Sequence, residues 1–176
     1  EAGLAAFEAA VEPVQQRFPM RLGNHAAFHT QLMAPVAKEG RSQLPASLFG
    51  QPDVPMIDGR GAIWWPHATD TQALYEYPLG TQVVESYDFS RAIAIAAREF
   101  VPDLFIITGP GTTLGGAVAQ SLILASWRGM QNKDDFKAAQ NERPILASMG
   151  MAEQRGEVCH PAPADLRNVE DGDGHA

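Results

Sequence analysis

The stretch LFIITGPGTTLGG, residues 104–116, decides the fold class of this chain. Residues 104–107 form a continuous apolar run of strand length, a pattern typical of parallel strands that are covered on both faces. Gly109 and Gly111 permit a sharp turn, and a helix is predicted over about 112–124. The order of strand, glycine turn and helix predicts an α/β fold.

The glycine-rich turn also fits a second interpretation, a phosphate cradle at a helix N-terminus. However, residues 109–116 lack both the Lys-Ser/Thr pair of a P-loop and the G-x-G-x-x-G spacing of a dinucleotide site. We therefore interpret these glycines as structural, because they let the chain turn sharply and let the helix pack close to the sheet.

The segment before residue 30 predicts one helix and one short strand. Residues 2–17 carry apolar side chains at spacings of three and four, which places them on one helix face: Leu4, Phe7, Val11, Val14 and Phe18. Residues 20–22 alternate like a short strand.

Capping residues predict three further helices. Their starts and approximate ends are Gln31 to Glu39 or beyond after Thr30, Asp70 or Thr71 to Val84, and a helix capped by Ser90. The expected buried face of the last helix consists of Ile93, Ala97, Phe100 and Val101.

Three shorter predictions complete the chain. A short strand is expected at residues 54–57, within a loop rich in Gly, Pro and Asp. Residues 131–143 predict a polar helix anchored by Phe136. Residues 161–176 have the composition of a disordered tail.

Composition excludes several classes of protein. In 176 residues no apolar run approaches the 18 residues that a membrane span needs, so we expect no membrane interaction. The net charge is −8 and no basic stripe is present, which argues against a nucleic-acid partner. The single cysteine, Cys159, excludes an internal disulfide and favours a reducing, cytoplasmic compartment.

Two familiar catalytic patterns are missing. His25 and His29 are spaced like a zinc-protease pair, but Ala26 stands where that pattern requires Glu, so we predict no metal site. No serine lies in G-x-S-x-G, the nucleophile elbow of α/β hydrolases. Cys159 lies in an acidic segment and is a poor candidate for a buried nucleophile.

Three segments, in order, resemble the malonyl-CoA:acyl-carrier-protein transacylases and the related acyltransferase domains of fatty-acid and polyketide synthases. AFHTQLM, residues 27–33, resembles the family's A-F-H-S/T-x-x-M segment around its catalytic histidine. Gln82, followed seven residues later by Phe89, is similar to the family's Gln and downstream Trp or Phe. Residues 108–116 resemble its V-G-P-G-x-x-L-x-G turn.

The resemblance implies roles for three residues. His29 matches the general base, and Gln82 matches the residue whose backbone carbonyl accepts a hydrogen bond from the far ring nitrogen of that base. Phe28 matches a residue associated with malonyl preference. No cofactor is implied, since the substrates are malonyl-CoA and phosphopantetheinyl acyl carrier protein.

The resemblance also implies a division of the chain. Residues 1–23 would be the last helix and strand of a small ferredoxin-like subdomain. Residues 24–126 would be the C-terminal part of a hydrolase-like parallel-sheet subdomain, with residues 58–73 longer than usual. Residues 127–176 have no counterpart in the usual short members and are expected to form an acidic, partly disordered extension.

In the family, the nucleophilic serine, the malonyl-binding arginine and the oxyanion hole all precede this region. We therefore expect the chain to be the C-terminal half of the enzyme, inactive alone and partnered by an N-terminal half that carries the serine. The expected activity is malonyl transfer from coenzyme A to acyl carrier protein, for fatty-acid or polyketide synthesis. Two alternatives stay open, namely a non-catalytic interaction module and a related acyl-CoA transferase or thioester hydrolase.

Overall fold

A computed structural model describes residues 2–14, 19, 26–109 and 111–159. Within these ranges the chain is mixed α/β, with many helices and two small sheets, which confirms the predicted α/β class. In the same ranges no helix combines the length and apolar content needed to cross a lipid bilayer.

Eight α-helices and four strands are present in the described part of the chain. The helices are α1 (Ala2–Ala10), α2 (Ala34–Gln43), α3 (Thr71–Glu76), α4 (Gln82–Val84), α5 (Phe89–Glu99), α6 (Leu114–Leu124), α7 (Lys133–Glu142) and α8 (Ala152–Cys159). The strands are β1 (Met56–Ile57), β2 (Ile63–Trp64), β3 (Phe105–Ile107) and β4 (Leu146–Ser148). A π-helical turn, Tyr77–Thr81, joins α3 to α4, and 3-10 turns occupy Gln31–Met33, Ala46–Leu48 and Trp127–Gly129.

Strand β3 pairs with β4 in parallel, as the apolar run predicts, with Phe105 opposite Leu146 and Ile107 opposite Ser148. Helices α5 and α6 pack against each other beside this pair. The largest fully buried side chain is that of Leu122 on α6. The buried cluster around it consists of Ala97, Ile107, Val118, Trp127, Met130, Ile145 and Leu146.

The predicted coverage of β3 on both faces is wrong. Ile107 is buried, but Ile106 is 46% exposed. Because successive strand residues point to opposite faces, one face of β3 is left uncovered by the described residues. A continuous apolar run thus predicts the strand but not the number of layers that pack on it.

Residues 127–148 belong to the core. Trp127 packs edge-on against Phe105 with ring centroids 5.4 Å apart, and Ile145 is 2% exposed. The predicted polar helix is α7, and its anchor Phe136 packs against the core cluster. The part of the expected extension up to Cys159 therefore packs on the body, whereas the predicted tail, residues 161–176, lies outside the described residues.

The first predicted helix is shorter than expected. Helix α1 ends at Ala10, and residues 11–14 are not helical. Pro13 explains this end, because proline disfavours the helical conformation of the residue before it and removes a helix donor. The apolar face is exposed, at 53% for Leu4 and 56% for Phe7. Phe18 and the strand predicted at residues 20–22 lie outside the described residues.

Two predicted caps differ from the observed ones. Thr30 stands at the start of the Gln31–Met33 turn, but its hydroxyl donates to the Ala27 carbonyl at 2.6 Å instead of capping. Asp88, and not Ser90, caps α5 by accepting from the backbone N–H of Arg91 at 2.9 Å.

The buried face of α5 agrees only in part with the prediction. Ala97 is 1% exposed and Ile93 packs on the core, but Phe100 and Val101 are 38% and 66% exposed. These last two residues follow the end of α5, and Val101 has a left-handed φ of +43°, so the helical periodicity no longer applies to them.

The helix expected behind Asp70 is present with its cap. The Asp70 carboxylate accepts from the N–H groups of Gln72 and Ala73 at 2.9 and 3.1 Å. The helical path continues to Val84 through the π turn, which begins beside Pro78. Because proline has no N–H to donate to the preceding turn, the ladder widens there.

Candidate functional site

His29 and Gln82 meet although 53 residues separate them in the chain. The Nδ1 atom of His29 donates to the Gln82 carbonyl at 2.7 Å, and the ring is half-buried. The backbone N–H of His29 donates to the Val83 carbonyl at 2.8 Å, so ring and backbone are held by consecutive carbonyls.

These carbonyls are available because they lie at the end of a helix. Helix α4 ends at Val84, and the last four carbonyls of a helix have no partner within it. Groups in the loop at residues 28–31 donate hydrogen bonds to these carbonyls in chain order. The ring and backbone N–H of His29 donate to the carbonyls of Gln82 and Val83, and Gln31 Nε2 donates to the Val84 carbonyl at 3.5 Å. The carbonyls of α4 therefore set the position of the histidine.

The hydrogen bond fixes the tautomer of the neutral imidazole. A carbonyl oxygen can only accept, so Nδ1 carries the proton and Nε2 keeps its lone pair. His29 also has a left-handed φ of +65°, a conformation uncommon for residues other than glycine. The histidine is thus arranged to take a proton at Nε2.

Two aromatic rings flank the imidazole. The Tyr87 ring lies 4.6 Å from the His29 ring between centroids, and the Phe28 ring lies 6.4 Å away. Phe28 is 50% exposed beside the imidazole. Tyr87 was missed by sequence reasoning because nothing in its local pattern indicates a partner 58 residues earlier in the chain.

The loop of a β-hairpin packs against Tyr87. Strands β1 and β2 pair antiparallel, and the loop between them includes Gly59. A Cβ atom at Gly59 would lie 2.9 Å from both the Tyr77 hydroxyl and the Tyr87 Cβ, so the loop backbone contacts both tyrosines. Gly59 N–H donates to the Tyr77 hydroxyl at 2.8 Å, and its carbonyl accepts from the N–H of Asp88 at 2.9 Å.

The hairpin loop is itself organised by the buried carboxylate of Asp58. It accepts from the backbone N–H groups of Arg60 and Ala62 at 2.8 and 3.0 Å and from the Arg60 guanidinium at 2.5 and 3.0 Å. Burial acts to raise the pKa of Asp58, but the hydrogen bonds from Arg60 and Ala62 and the Arg60 charge outweigh it and lower the pKa below its ordinary 3.8.

Tyr77 also packs against this hairpin loop. The Arg60 guanidinium lies 4.3 Å from the centroid of the Tyr77 ring, a cation–π contact. Burial, the largest cause, raises the pKa of Tyr77, and the Gly59 hydrogen bond opposes it. The hydroxyl therefore stays protonated at neutral pH and serves as a structural acceptor. An Asp-Gly pair between apolar residues 56–57 and 63–64 is a hairpin signal that could have indicated β2.

A cavity of about 590 Å³ opens between α2 and the α3–α4 path. Gln31 and Val84, from the carbonyl contacts described above, line it, whereas His29 does not. Arg41 also lines this cavity, and its guanidinium donates to the Leu79 carbonyl in the π turn at 3.0 Å. The cavity therefore borders the histidine loop without containing the base.

The glycine turn provides the predicted sharp change of direction, but the glycines of α6 are not needed for close packing on the sheet, since a Cβ atom at Gly115 would lie 3.9 Å from its nearest neighbour and one at Gly116 would meet none within 4 Å. Gly109 and Gly111 have φ values of +113° and +75°, which glycine adopts without strain. A Cβ atom at Gly150 would clash with the Gly111 carbonyl, so the turn packs directly against the loop after β4. Among the described residues, no hydrogen bond or ring contact joins this turn to His29.

The other candidate groups do not assemble into a site. No three side chains of the types His, Cys, Asp and Glu cluster as metal ligands within the described ranges, and His25 lies outside them. Cys159 is exposed at the end of α8. In the part of the chain that the structure describes, the hydrogen bond of the His29 ring is the one to the Gln82 carbonyl, and no hydroxyl group bonds to the ring.

Comparison with known proteins adds no assignment. No protein-family model matches the chain, and no curated protein or solved structure matches it significantly. Any function for the His29–Gln82 pair must therefore be argued from its chemistry and from the motif resemblance.

Proposed function

We propose that this chain supplies the general base of an acyltransferase that moves malonyl from coenzyme A to the phosphopantetheine thiol of an acyl carrier protein. The observation that carries the proposal is the 2.7 Å hydrogen bond between His29 Nδ1 and the Gln82 carbonyl. The same pairing is what the family resemblance implies for these two positions.

In the proposed first half-reaction, a serine from another segment donates its proton to His29 Nε2 as its oxygen attacks the thioester carbonyl of malonyl-CoA. The tetrahedral intermediate collapses, the carbon–sulfur bond breaks, and the imidazolium returns the proton to the leaving thiolate. The Gln82 carbonyl keeps Nδ1–H in place throughout and interacts favourably with the transient positive charge.

The second half-reaction reverses these steps with a different thiol. His29 Nε2 takes the proton of the phosphopantetheine thiol, and the thiolate attacks the acyl-serine ester. The serine oxygen leaves with the proton that the imidazolium returns. The same nitrogen thus acts alternately as base and acid, which requires the fixed tautomer described above.

Phe28 supports the choice of malonyl as the acyl group. Its ring centroid lies 6.4 Å from that of the His29 imidazole, so the ring would border the acyl group and disfavour a methyl branch next to the reacting carbonyl. A methyl group in such a pocket changes the free energy of the transition state by about 1–3 kcal/mol, so the preference would be graded. Phe28→Ala is therefore expected to raise the relative rate with methylmalonyl-CoA.

We extend the proposal to the architecture. Residues 24–126 would be the closing part of a hydrolase-like subdomain, and residues 1–23, which include α1, would belong to a ferredoxin-like subdomain. Exposed apolar side chains on α1, β3 and the histidine loop support this assignment, since a segment carrying the serine would cover them: Leu4, Phe7, Ile106, Phe28 and Leu32.

The test is His29→Ala in the enzyme assembled with its serine-bearing segment. Loss of the base predicts a fall in malonyl transfer of about 10³-fold, because general base catalysis contributes about 10²–10⁴-fold. His67→Ala is the matched control, since His67 is an exposed histidine with the same left-handed φ, +62°, and should retain full activity. Retention of most activity in His29→Ala would refute the assigned role.

A further inference from the structure

A second cavity, of about 450 Å³, lies between α6, α7, α8 and the end of β4. It shares no lining residue with the His29–Gln82 pair, so it stands independently of the proposed transfer reaction. Its position is the one where α/β proteins bind ligands, beyond the carboxyl ends of parallel strands. Its volume falls within the range of about 300–1,000 Å³ found for small-molecule sites.

Two glycines in the first turn of α6 line the cavity. Gly115 and Gly116 present no side chain to it, and a Cβ atom at Gly116 would meet no other atom within 4 Å. Elsewhere its wall is largely apolar, formed by Ala119, Ile123, Phe136, Leu146 and Met151. This space therefore suits an apolar group rather than a chain of waters.

One of the residues that line this cavity has a buried polar group without a hydrogen-bond partner. Ser148, at the end of β4, is 3% exposed, and its hydroxyl is the one buried side-chain polar atom of the described residues that lacks a hydrogen bond. Its own N–H is bonded to Gln154 Oε1 at 2.7 Å. Buried polar groups are nearly always paired, so a free hydroxyl lining a cavity points to a ligand atom that would bind it.

Two neighbouring amide side chains, those of Gln140 and Gln154, bond to the backbone of β4 and not to the Ser148 hydroxyl. Gln140 accepts from the N–H groups of Ile145 and Leu146 through Oε1 and donates to the Leu146 carbonyl through Nε2. Gln140 thus bonds to β4 through both atoms of its amide and Gln154 through its Oε1 atom, whereas the buried Ser148 hydroxyl has no hydrogen bond.

The charge around the cavity is positive in a chain whose net charge is −8. Lys133 and Lys137 on α7 line it, and no Asp or Glu does. Lys137 lies 3.5 Å from the Asp134 carboxylate, but that carboxylate is 91% exposed and solvent weakens the pairing. The N-terminus of α6, whose first N–H groups lack partners in the helix, adds positive potential at the same end.

We infer that this cavity binds a small aliphatic carboxylate. The carboxylate group would be bound by the Ser148 hydroxyl and the lysine ammonium groups, and the aliphatic chain would lie among the apolar residues of α6 and α7. An inorganic anion satisfies only the polar groups and leaves the apolar wall exposed to water, whereas an alkanol satisfies the wall and not the lysines. Because the cavity has both an apolar wall and positively charged groups, a ligand with both an aliphatic chain and an anionic group fits it best.

Calorimetric titration of the full chain with octanoate tests this assignment, with 1-octanol and inorganic phosphate as comparison probes. Octanoate is expected to bind at least ten-fold more tightly than either probe. Equal binding of 1-octanol, or no binding of octanoate, would overturn the proposal.

Three variants locate the site. Ser148→Ala is expected to weaken octanoate binding about ten-fold, since hydrogen bonds to charged groups are among the stronger ones, while making the chain more stable by removing an unpaired buried hydroxyl. The double variant Lys133→Gln, Lys137→Gln is expected to bring octanoate affinity close to that of 1-octanol.

The third variant fills the space. Gly116→Leu places a side chain in the cavity and should abolish octanoate binding, and it should not unfold α6 because leucine favours helices over glycine. Gly3→Leu on α1 is the matched control, because Gly3 is also helical and open but lies outside the cavity. If Ser148→Ala and Gly116→Leu both retain the affinity of the original chain, the hydroxyl is bonded to water and the inference is wrong.

Discussion

In the sheet region, residues 89–159, the buried side chains are mostly apolar and meet in one cluster around Leu122, which is 0% exposed. In the histidine region, residues 26–88, the important contacts are directional hydrogen bonds to helix-end carbonyls and to the buried carboxylate of Asp58. The free energy gained by burying apolar side chains depends on the area removed from water, so it changes little when those side chains shift slightly. Hydrogen bonds depend on distance and angle, and so they fix the orientation of a side chain.

This difference divides the chain into a scaffold and a site. A change in the sheet region should lower the free energy of unfolding and leave the His29 ring in place. A change in the histidine region should alter the His29–Gln82 hydrogen bond with a smaller effect on stability. Both effects can be measured on the same samples, by urea denaturation and by ¹H–¹⁵N spectra of the imidazole.

The largest effect on stability is expected for Leu122→Ala. Truncating a fully buried leucine removes apolar contacts and leaves a cavity, which lowers the free energy of unfolding by about 3 kcal/mol. Leu124→Ala on the same helix is the control, because Leu124 is 68% exposed and its loss should cost less than about 0.5 kcal/mol. A change in the His29 ¹⁵N shifts of folded Leu122→Ala would contradict the division between scaffold and site.

Asp58→Ala is expected to lower the free energy of unfolding by about 2 kcal/mol, since it leaves two backbone N–H groups and the Arg60 guanidinium without their acceptor. It should also shift the His29 resonances, because the hairpin loop contacts Tyr87, which packs on the imidazole. Asp53→Ala, in an exposed loop, is the control and should change neither quantity. Unchanged imidazole spectra in Asp58→Ala would show that the hairpin does not position the base.

Acidification gives a smaller effect at the same carboxylate. The folded-state pKa of Asp58 lies below its ordinary value of 3.8, so its stabilising contribution is present above that value and is lost as the pH falls through the folded pKa. Asp58→Asn should cost about 1 kcal/mol at pH 7, because the amide retains only part of the hydrogen bonding. The difference between the two chains should shrink below pH 3.8 in urea titrations, and a difference that grows on acidification would refute the lowered pKa.

Local patterns predicted parts of both regions. Strand β3, the glycine turn and α6 in the sheet region, and the helical path from Asp70 to Val84 in the histidine region, follow from apolar runs, glycines and caps that act over a few residues. Strand β4 and helix α8 were not predicted. The sequence-based predictions fail where contacts between distant parts of the chain determine the structure. Ile106 is exposed because the described residues cover only one face of β3, and Asp88 replaces Ser90 as the cap although both side chains are suitable caps.

The site could be predicted only in part. The pairing of His29 with Gln82 was expected from a motif resemblance, and no periodicity would have indicated it, since the two residues are 53 positions apart. Tyr87 and the Asp58 hairpin were not expected, because their role depends on contacts between separate turns of the chain. Aspartate side chains are usually exposed, so the sequence does not indicate that Asp58 is buried. Burial of its carboxylate is favourable only because hydrogen-bond donors surround it.

The smallest effect is expected for Gln82→Ala, and it tests the site most directly. The backbone carbonyl of Gln82 is the group that accepts from the His29 ring, and alanine retains that carbonyl and favours the helix. We therefore expect unchanged stability within about 0.5 kcal/mol, an unchanged Nδ1–H tautomer of His29, and unchanged transfer in the assembled enzyme. Val83→Pro is the opposite variant, because a proline there forces residue 82 away from helical angles and moves the carbonyl. Its His29 spectra should show a mixture of tautomers, whereas a loss of the Nδ1–H tautomer in Gln82→Ala would mean that the side chain, and not the carbonyl, orients the base.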